Sequence, residues 1–134
     1  MKEVNTDICI IGGGAAGLSM AAGAAQMGAN IVLFESGKMG GDCLNYGCIP
    51  SKTLIANAKT AFQASNGRKK GILISTRPDI NFDEIKQDIL NVIAKIAPHD
   101  SKERFEELGV RVFQERARFT GRRQISSDSV TVNF

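Results

Sequence analysis

Two short, unbroken apolar runs stand near the start of the chain. Residues 7 to 11 (Asp-Ile-Cys-Ile-Ile) are mostly β-branched and end at a glycine cluster, the pattern of a buried parallel strand. Residues 30 to 34 (Asn-Ile-Val-Leu-Phe) form a second such run, ending at Glu35. Between them an alanine-rich segment from about Ala15 to Met27 reads as a helix, with Gly28 placed to end it. Strand, turn, helix and strand together make a βαβ unit.

Further along, Ser36 to Gly47 is glycine-rich and reads as irregular. A helix is expected from about Cys48 or Pro50 to Ala64, with proline tolerated in its first turn. Gly71 to Ser75 is a short apolar piece, a loop or a minor strand. Asn81 and Glu84 suggest a capping box that opens a helix to about Ala97. Its Phe82, Ile85, Ile89, Val92, Ile93 and Ile96 recur at helical spacing and predict one buried stripe. Asp100 with Glu103 predicts another cap, for a short helix stopping at Leu108-Gly109. Val110 to Phe113 then reads as a strand. Ala117 to Thr120 and Val130 to Phe134 alternate around turn residues, as in a small antiparallel meander. Phe134 lies inside that last pattern, an unusual place for a finished domain to stop.

Composition narrows the class. The 134 residues are 43% hydrophobic and 23% charged, an ordinary globular balance for one modest domain. Seventeen basic against fourteen acidic residues give +3, too scattered for a nucleic-acid footprint. Arg68-Lys69-Lys70 and Arg122-Arg123 read as solvated loops. Neither a signal peptide nor a membrane-spanning stretch is visible, so a cytoplasmic, reducing compartment is expected. There, three cysteines point to redox or metal chemistry rather than to a structural framework.

Gly12-Gly13-Gly14-Ala15-Ala16-Gly17 matches G-x-G-x-x-G directly after a strand and at the opening of a helix. Gly12 allows the turn, Gly14 lets backbone approach a pyrophosphate, and Gly17 allows close strand–helix packing. The helix start then offers free amides and a positive dipole end to an anion. Glu35, eighteen residues beyond Gly17, stands where a carboxylate accepts from an adenosine ribose. The alternative is a plain tight turn with an incidental surface acid.

Cys43 and Cys48 are five residues apart. On a regular helix that spacing means a rise of about 7.5 Å and a rotation of about 140°, whereas a disulfide needs Cα atoms within roughly 4.4–6.8 Å. Pairing therefore requires a break in α geometry, for which Asn45 and Gly47 are suitable. So small a ring would stabilise the fold by only on the order of 2 kcal/mol, so redox work is the better reason for it. Cys48 at a helix start has a favoured thiolate, and Lys52 one turn on can stabilise negative charge. Two unlinked thiols with a solvated Lys52 remain the alternative. Cys9 reads as a small buried hydrophobe, His99 as a surface residue, and no metal site is expected.

Gly40-Gly41, Cys43-Leu44-Asn45 and Gly47-Cys48-Ile49-Pro50-Ser51-Lys52 resemble the active-site segment of the class I pyridine nucleotide-disulfide oxidoreductases. That family includes dihydrolipoamide dehydrogenase, glutathione reductase and mercuric reductase. The resemblance covers residues 1–134 as the N-terminal part of the FAD-binding domain, about the first third of such an enzyme. It implies an α/β, Rossmann-like fold, a parallel sheet with crossover helices plus the small meander. The implied cofactor is FAD, with NAD(P)H used in the full-length enzyme. Gly12, Gly14, Ala16 and Gly17 would meet the pyrophosphate and Glu35 the ribose. Gly41, Asp42 and Lys52 would line the flavin side, and Ala117, in Glu115-Arg116-Ala117, the adenine. Cys48 would be the sulfur beside the flavin and Cys43 the thiol that meets substrate.

Asp42 replaces a more usual threonine and leans toward mercuric-reductase-like members, so the implied substrate is mercuric ion or a dihydrolipoamide-type disulfide. The full-length enzyme is expected to be a homodimer without nucleic-acid or membrane partners. The isolated chain is expected to be inactive. Competing readings are a non-catalytic dinucleotide-binding module with structural cysteines and a simple NAD-dependent dehydrogenase domain.

Overall fold

The computed structural model describes residues 2–66, 71 and 78–134. The cluster Arg68-Lys69-Lys70 and the apolar piece Ile72 to Ser75 lie outside the described residues. In chain order the elements are β1 (Lys2–Asn5), β2 (Ile8–Ile11), α1 (Ala15–Gln26), β3 (Ile31–Phe34), α2 (Gly41–Asn45) and α3 (Cys48–Ser65). They continue with α4 (Phe82–Ile96), a 3-10 turn (Ala97–Asp100), α5 (Lys102–Glu107), β4 (Val110–Phe113), β5 (Arg118–Gly121), β6 (Gln124–Ser126) and β7 (Val130–Asn133).

The fold is mixed α/β in three layers. A parallel sheet of order β2-β3-β4 occupies the middle. Strand β3 has both faces buried, and its alternation assigns each side chain to a layer. Ile31 and Leu33 pack with Leu18, Ala21 and Ala24 of α1, Phe105 of α5, and Val110 and Val112 of β4. Val32 and Phe34 face the other way, onto Val4, Ile125, Val130 and Val132. Those residues belong to a second sheet of order β1-β7-β6-β5.

That second sheet departs from the sequence reading in two ways. The meander has a middle strand, β6, of only three residues, too short to show alternation. The polar N-terminus is also a strand, β1, paired parallel with β7 from Lys2–Val130 to Asn5–Asn133. Val4 is its single buried residue, so no periodicity announces it. The turn before β7 is clipped by Glu115, which accepts from the Ser129 amide and hydroxyl at 3.2 and 2.5 Å. Hydrogen bonds from Ser127 and Ser129 hold its carboxyl below the usual glutamate range.

Three helix expectations are corrected as well. The Ser36–Gly47 stretch is not irregular throughout but contains α2, a single turn too short to carry a period. Ser101, not Asp100, caps α5, accepting from the Arg104 amide at 3.3 Å. The α4 stripe is not buried: Ile85, Ile89, Val92, Ile93 and Ile96 are half-buried and Phe82 is 55% exposed. The reason is topological. Helices α3 and α4 pack on each other and on α2 rather than on the sheet, so neither has a fully buried residue. The cap of α4 is as expected: Asn81 Oδ1 accepts from the amides of Asp83 and Glu84 at 3.1 and 3.4 Å, and its Nδ2 donates to Glu84.

Candidate functional site

The site lies where the turn after β2 meets the segment carrying α2. The chain leaves β2 through Gly12 (φ +109) and enters α1 at Gly14, whose extended backbone caps the helix without any side chain. The first amides of α1 are therefore left for an external acceptor. Gly17 packs so tightly that a Cβ there would collide with the Gly12 carbonyl oxygen. Glycine is thus required for strand and helix to approach. Gly12 itself has no atom within 4 Å of where a side chain would stand, which leaves the turn open on that side.

Glu35 follows β3 and turns back over this loop. Its Oε2 accepts from the Gly13 amide at 2.6 Å and its Oε1 from the Gly37 amide at 2.6 Å. Each carboxylate oxygen keeps a second lone pair for a hydroxyl donor. This link between the acid and the glycine turn escaped sequence reasoning, because a side chain at a strand end can point several ways.

The cysteine segment sits directly against the turn. The Gly40 amide donates to the Gly13 carbonyl at 2.8 Å. A Cβ on Gly41 would lie 2.7 Å from the Gly14 Cα, and Gly41 has φ +57, so neither space nor backbone admits a side chain. Gly13 and Gly40 thus join the site through their backbones, an involvement the residue types alone did not single out.

Cys43 lies in the middle of α2 and Cys48 is the first residue of α3. Between them Tyr46 ends the turn and Gly47 (φ −118, ψ −105) folds the chain back, so close that a Gly47 side chain would press on the Asp42 carbonyl at 3.0 Å. Asn45 contributes differently from expectation. Its backbone is ordinary helix, and its side chain secures the segment by donating to the carbonyls of Gly41 and Met39 at 2.8 and 3.1 Å.

Both cysteines are thiols, Cys43 half-buried and Cys48 exposed. A side-chain hydrogen bond to Cys48 pushes the Cys43 thiol up from its ordinary pKa. Burial and the charge of Cys48 add to this, while the Cys48 backbone amide and Lys52 oppose it. The two sulfurs and the Lys52 ammonium are therefore neighbours. Asp42 is exposed at the start of α2.

The other singled-out residues lie apart from this cluster or at its edges. Ala16 is exposed in the first turn of α1. Ala117 lies between β4 and β5, half-buried, on the wall of a cavity of about 350 Å³. Cys9 packs beside the second-sheet core, and burial pushes its thiol up to about 11. His99 is exposed in the 3-10 turn. Among the described residues no group of acidic, cysteine or histidine side chains is arranged to hold a metal, and no helix is long and apolar enough to cross a membrane.

A family model for pyridine nucleotide-disulphide oxidoreductases matches residues 6–133. The chain belongs to that family. Members use FAD, with NAD(P)H acting in the full-length enzyme. The dihydrolipoyl dehydrogenase of Buchnera aphidicola is 39% identical over 119 residues, covering 88% of this chain and 25% of that protein. The dihydrolipoyl dehydrogenase of Haemophilus influenzae is 41% identical over 96 residues, covering 71% and 20%. The chain thus spans about a quarter or less of the length of these relatives. Among solved structures, the Cu(II) complex of the HOCl-induced flavoprotein disulfide reductase RclA from Escherichia coli superposes with a TM-score of 0.72. It shares 23% identity and covers 93% of this chain and 25% of that one, a likeness of fold.

The site fits the family's cofactor on structural grounds. It offers an uncapped helix start, a turn open beside Gly12, a carboxylate with free lone pairs, and a backbone joint at Gly14–Gly41 that carries the thiols to the same place.

Proposed function

We propose that residues 1–134 are the N-terminal part of the FAD-binding domain of an NAD(P)H-dependent disulfide oxidoreductase, with Cys43 and Cys48 as its redox pair. The backbone joint between the phosphate turn and the cysteine segment supports this best: the Gly40–Gly13 hydrogen bond at 2.8 Å and the Gly41–Gly14 contact. An ordinary dinucleotide-binding domain has no need for two thiols packed onto its glycine turn.

In this reading the amides around Gly14 to Gly17, with Ala16, receive the pyrophosphate. Glu35 accepts from ribose hydroxyls with the lone pairs its backbone donors leave free. Gly41, Asp42 and Lys52 line the flavin side, and Ala117 meets the adenine. FAD, when bound, supplies the two-electron relay between NAD(P)H and the sulfur pair. Cys48, opening α3, is the sulfur beside it, and Lys52 one turn later holds negative charge there. Cys43, in α2 just ahead of it, is the thiol that meets the substrate.

The relatives' chemistry favours a dihydrolipoyl-type dithiol or disulfide as substrate. A soft metal ion, mercuric ion among them, is the second reading; the two thiols, Cys43 and Cys48, are the ligand type that favours it. The complete enzyme works as a cytoplasmic homodimer, and this chain alone does not turn over NAD(P)H.

The test is spectroscopic. The chain mixed with FAD and reduced by dithionite should show a long-wavelength absorption band from a thiolate beside the flavin. Cys48→Ala should abolish the band while Cys43→Ala keeps it. No band with the unaltered chain at saturating FAD, or a band indifferent to Cys48, would refute the assignment.

A further inference from the structure

Tyr46 stands between the two cysteines and takes no part in the cofactor cradle. It closes α2, its amide donating to the Asp42 carbonyl at 2.9 Å as the last bond of the turn. It is three residues beyond Cys43 along the chain, and two before Cys48. Its ring is 69% exposed. The Lys38 ammonium lies 5.7 Å from the ring centroid. Lys38 is itself tied to this segment, since its carbonyl accepts from the Gly41 amide at 3.2 Å. It has no carboxylate partner among the described residues. An exposed aromatic ring with a cation over one face therefore stands in the short segment that joins the two cysteines. The carboxylates of this segment are turned to other work or lie outside it: Glu35 accepts from the Gly13 and Gly37 amides, Asp100 stands beside Gly40, and Asp42 is exposed at the start of α2.

We propose that Tyr46 and Lys38 form a reception site for an anionic disulfide, the ring packing on the apolar or aromatic arm and the ammonium holding its carboxylate. This rests on Cys43 and Cys48 being the redox pair. With the arm so placed, the Cys43 thiolate attacks the near substrate sulfur: a Cys43–sulfur bond forms and the substrate S–S bond breaks. The first half leaves as a thiolate and takes a proton from water. Cys48, its proton lost to water, then attacks the Cys43 sulfur, forming the internal disulfide and releasing the second half as a thiol. Two electrons pass from the protein pair to the substrate, which is the only oxidant required.

Stopped-flow thiol–disulfide exchange on the reduced chain tests this with three probes: 5,5′-dithiobis(2-nitrobenzoate), anionic and aromatic; 2-hydroxyethyl disulfide, neutral; and cystamine, cationic. Variant-to-parent rate ratios cancel each probe's own reactivity. Tyr46→Ala should slow the nitrobenzoate by about threefold to tenfold, the range an aromatic contact supports, and Tyr46→Phe should restore it. Lys38→Gln should slow the same probe severalfold at low salt and much less in 1 M salt, where screening is short-ranged. It should leave the neutral probe unchanged and speed cystamine. Equal slowing of all three probes, or no slowing of the nitrobenzoate, would overturn the reception site. The neutral probe on the unaltered chain separates the two claims: if it forms no internal Cys43–Cys48 disulfide, the redox pair fails and the reception site with it.

Discussion

At the scale of single residues, Cys43 and Cys9 are both raised in pKa, but for different reasons. Cys43 is raised chiefly by its hydrogen bond to Cys48, and Lys52 lowers it. Cys48→Ala should therefore bring the Cys43 pKa down and speed its alkylation by iodoacetamide at neutral pH, since the thiolate is the nucleophile. Lys52→Gln should slow it. Peptide mapping across a pH series checks both directions. Cys9 makes a different prediction. Its folded pKa of about 11 lies above the ordinary value of roughly 8.5. As pH rises between these values the unfolded chain loses the proton while the folded chain keeps it, so stability falls. Because the thiol is only half-buried, a loss of about 1–2 kcal/mol by pH 11 is expected. Urea midpoints at pH 8 and pH 10.5 should differ more in the parent than in Cys9→Ala. The strand position of Cys9 was legible in the sequence, but its full burial was not: β2 is the edge of its sheet, and Cys9 is only half-buried. The Glu35–Gly13 bond and the Lys38–Tyr46 pair were not, because both depend on side-chain direction rather than residue type.

At the scale of elements, the fold assigns very different weights to residues that look alike in sequence. Phe105 of α5 is 1% exposed, seated among Leu18, Leu33 and Val112, while Phe82 of α4 is 55% exposed. Phe105→Ala should cost about 3–5 kcal/mol, because it opens a cavity between α5 and the parallel sheet. Phe82→Ala should stay within about 0.5 kcal/mol, as surface changes do. Denaturant midpoints of the two variants measure the contrast. The parallel strands, α1 and α3 were readable, since uninterrupted β-branched runs and long segments declare themselves, but β2 was expected to be buried and is instead a half-buried edge strand with Ile11 47% exposed. The failures were short or poorly patterned: α2 is one turn, β6 three residues, and β1 has one buried side chain. The α4 stripe was seen, but its burial was not, because periodicity shows which face is apolar and not what covers it.

At the scale of the whole molecule, two segments nearly thirty residues apart meet backbone to backbone, and the proposed function depends on that joint. The Gly40 amide reaches the Gly13 carbonyl, and a side chain on Gly41 would run into Gly14. Gly41→Ala would force a methyl to within 2.7 Å of the Gly14 Cα and place alanine at φ +57. Strain of that kind costs about 1–3 kcal/mol, and the segment can relieve it by moving off the turn. The core layers on either side of β3 do not involve Gly41 and should survive. Far-UV circular dichroism of Gly41→Ala should therefore match the parent. FAD affinity, read by quenching of flavin fluorescence, should fall about tenfold or more, since 1.4 kcal/mol is one decade, and the thiolate band should weaken with it. Undiminished FAD affinity in a folded Gly41→Ala chain would mean that the joint is packing alone, and that the thiols sit beside the phosphate turn without sharing its ligand.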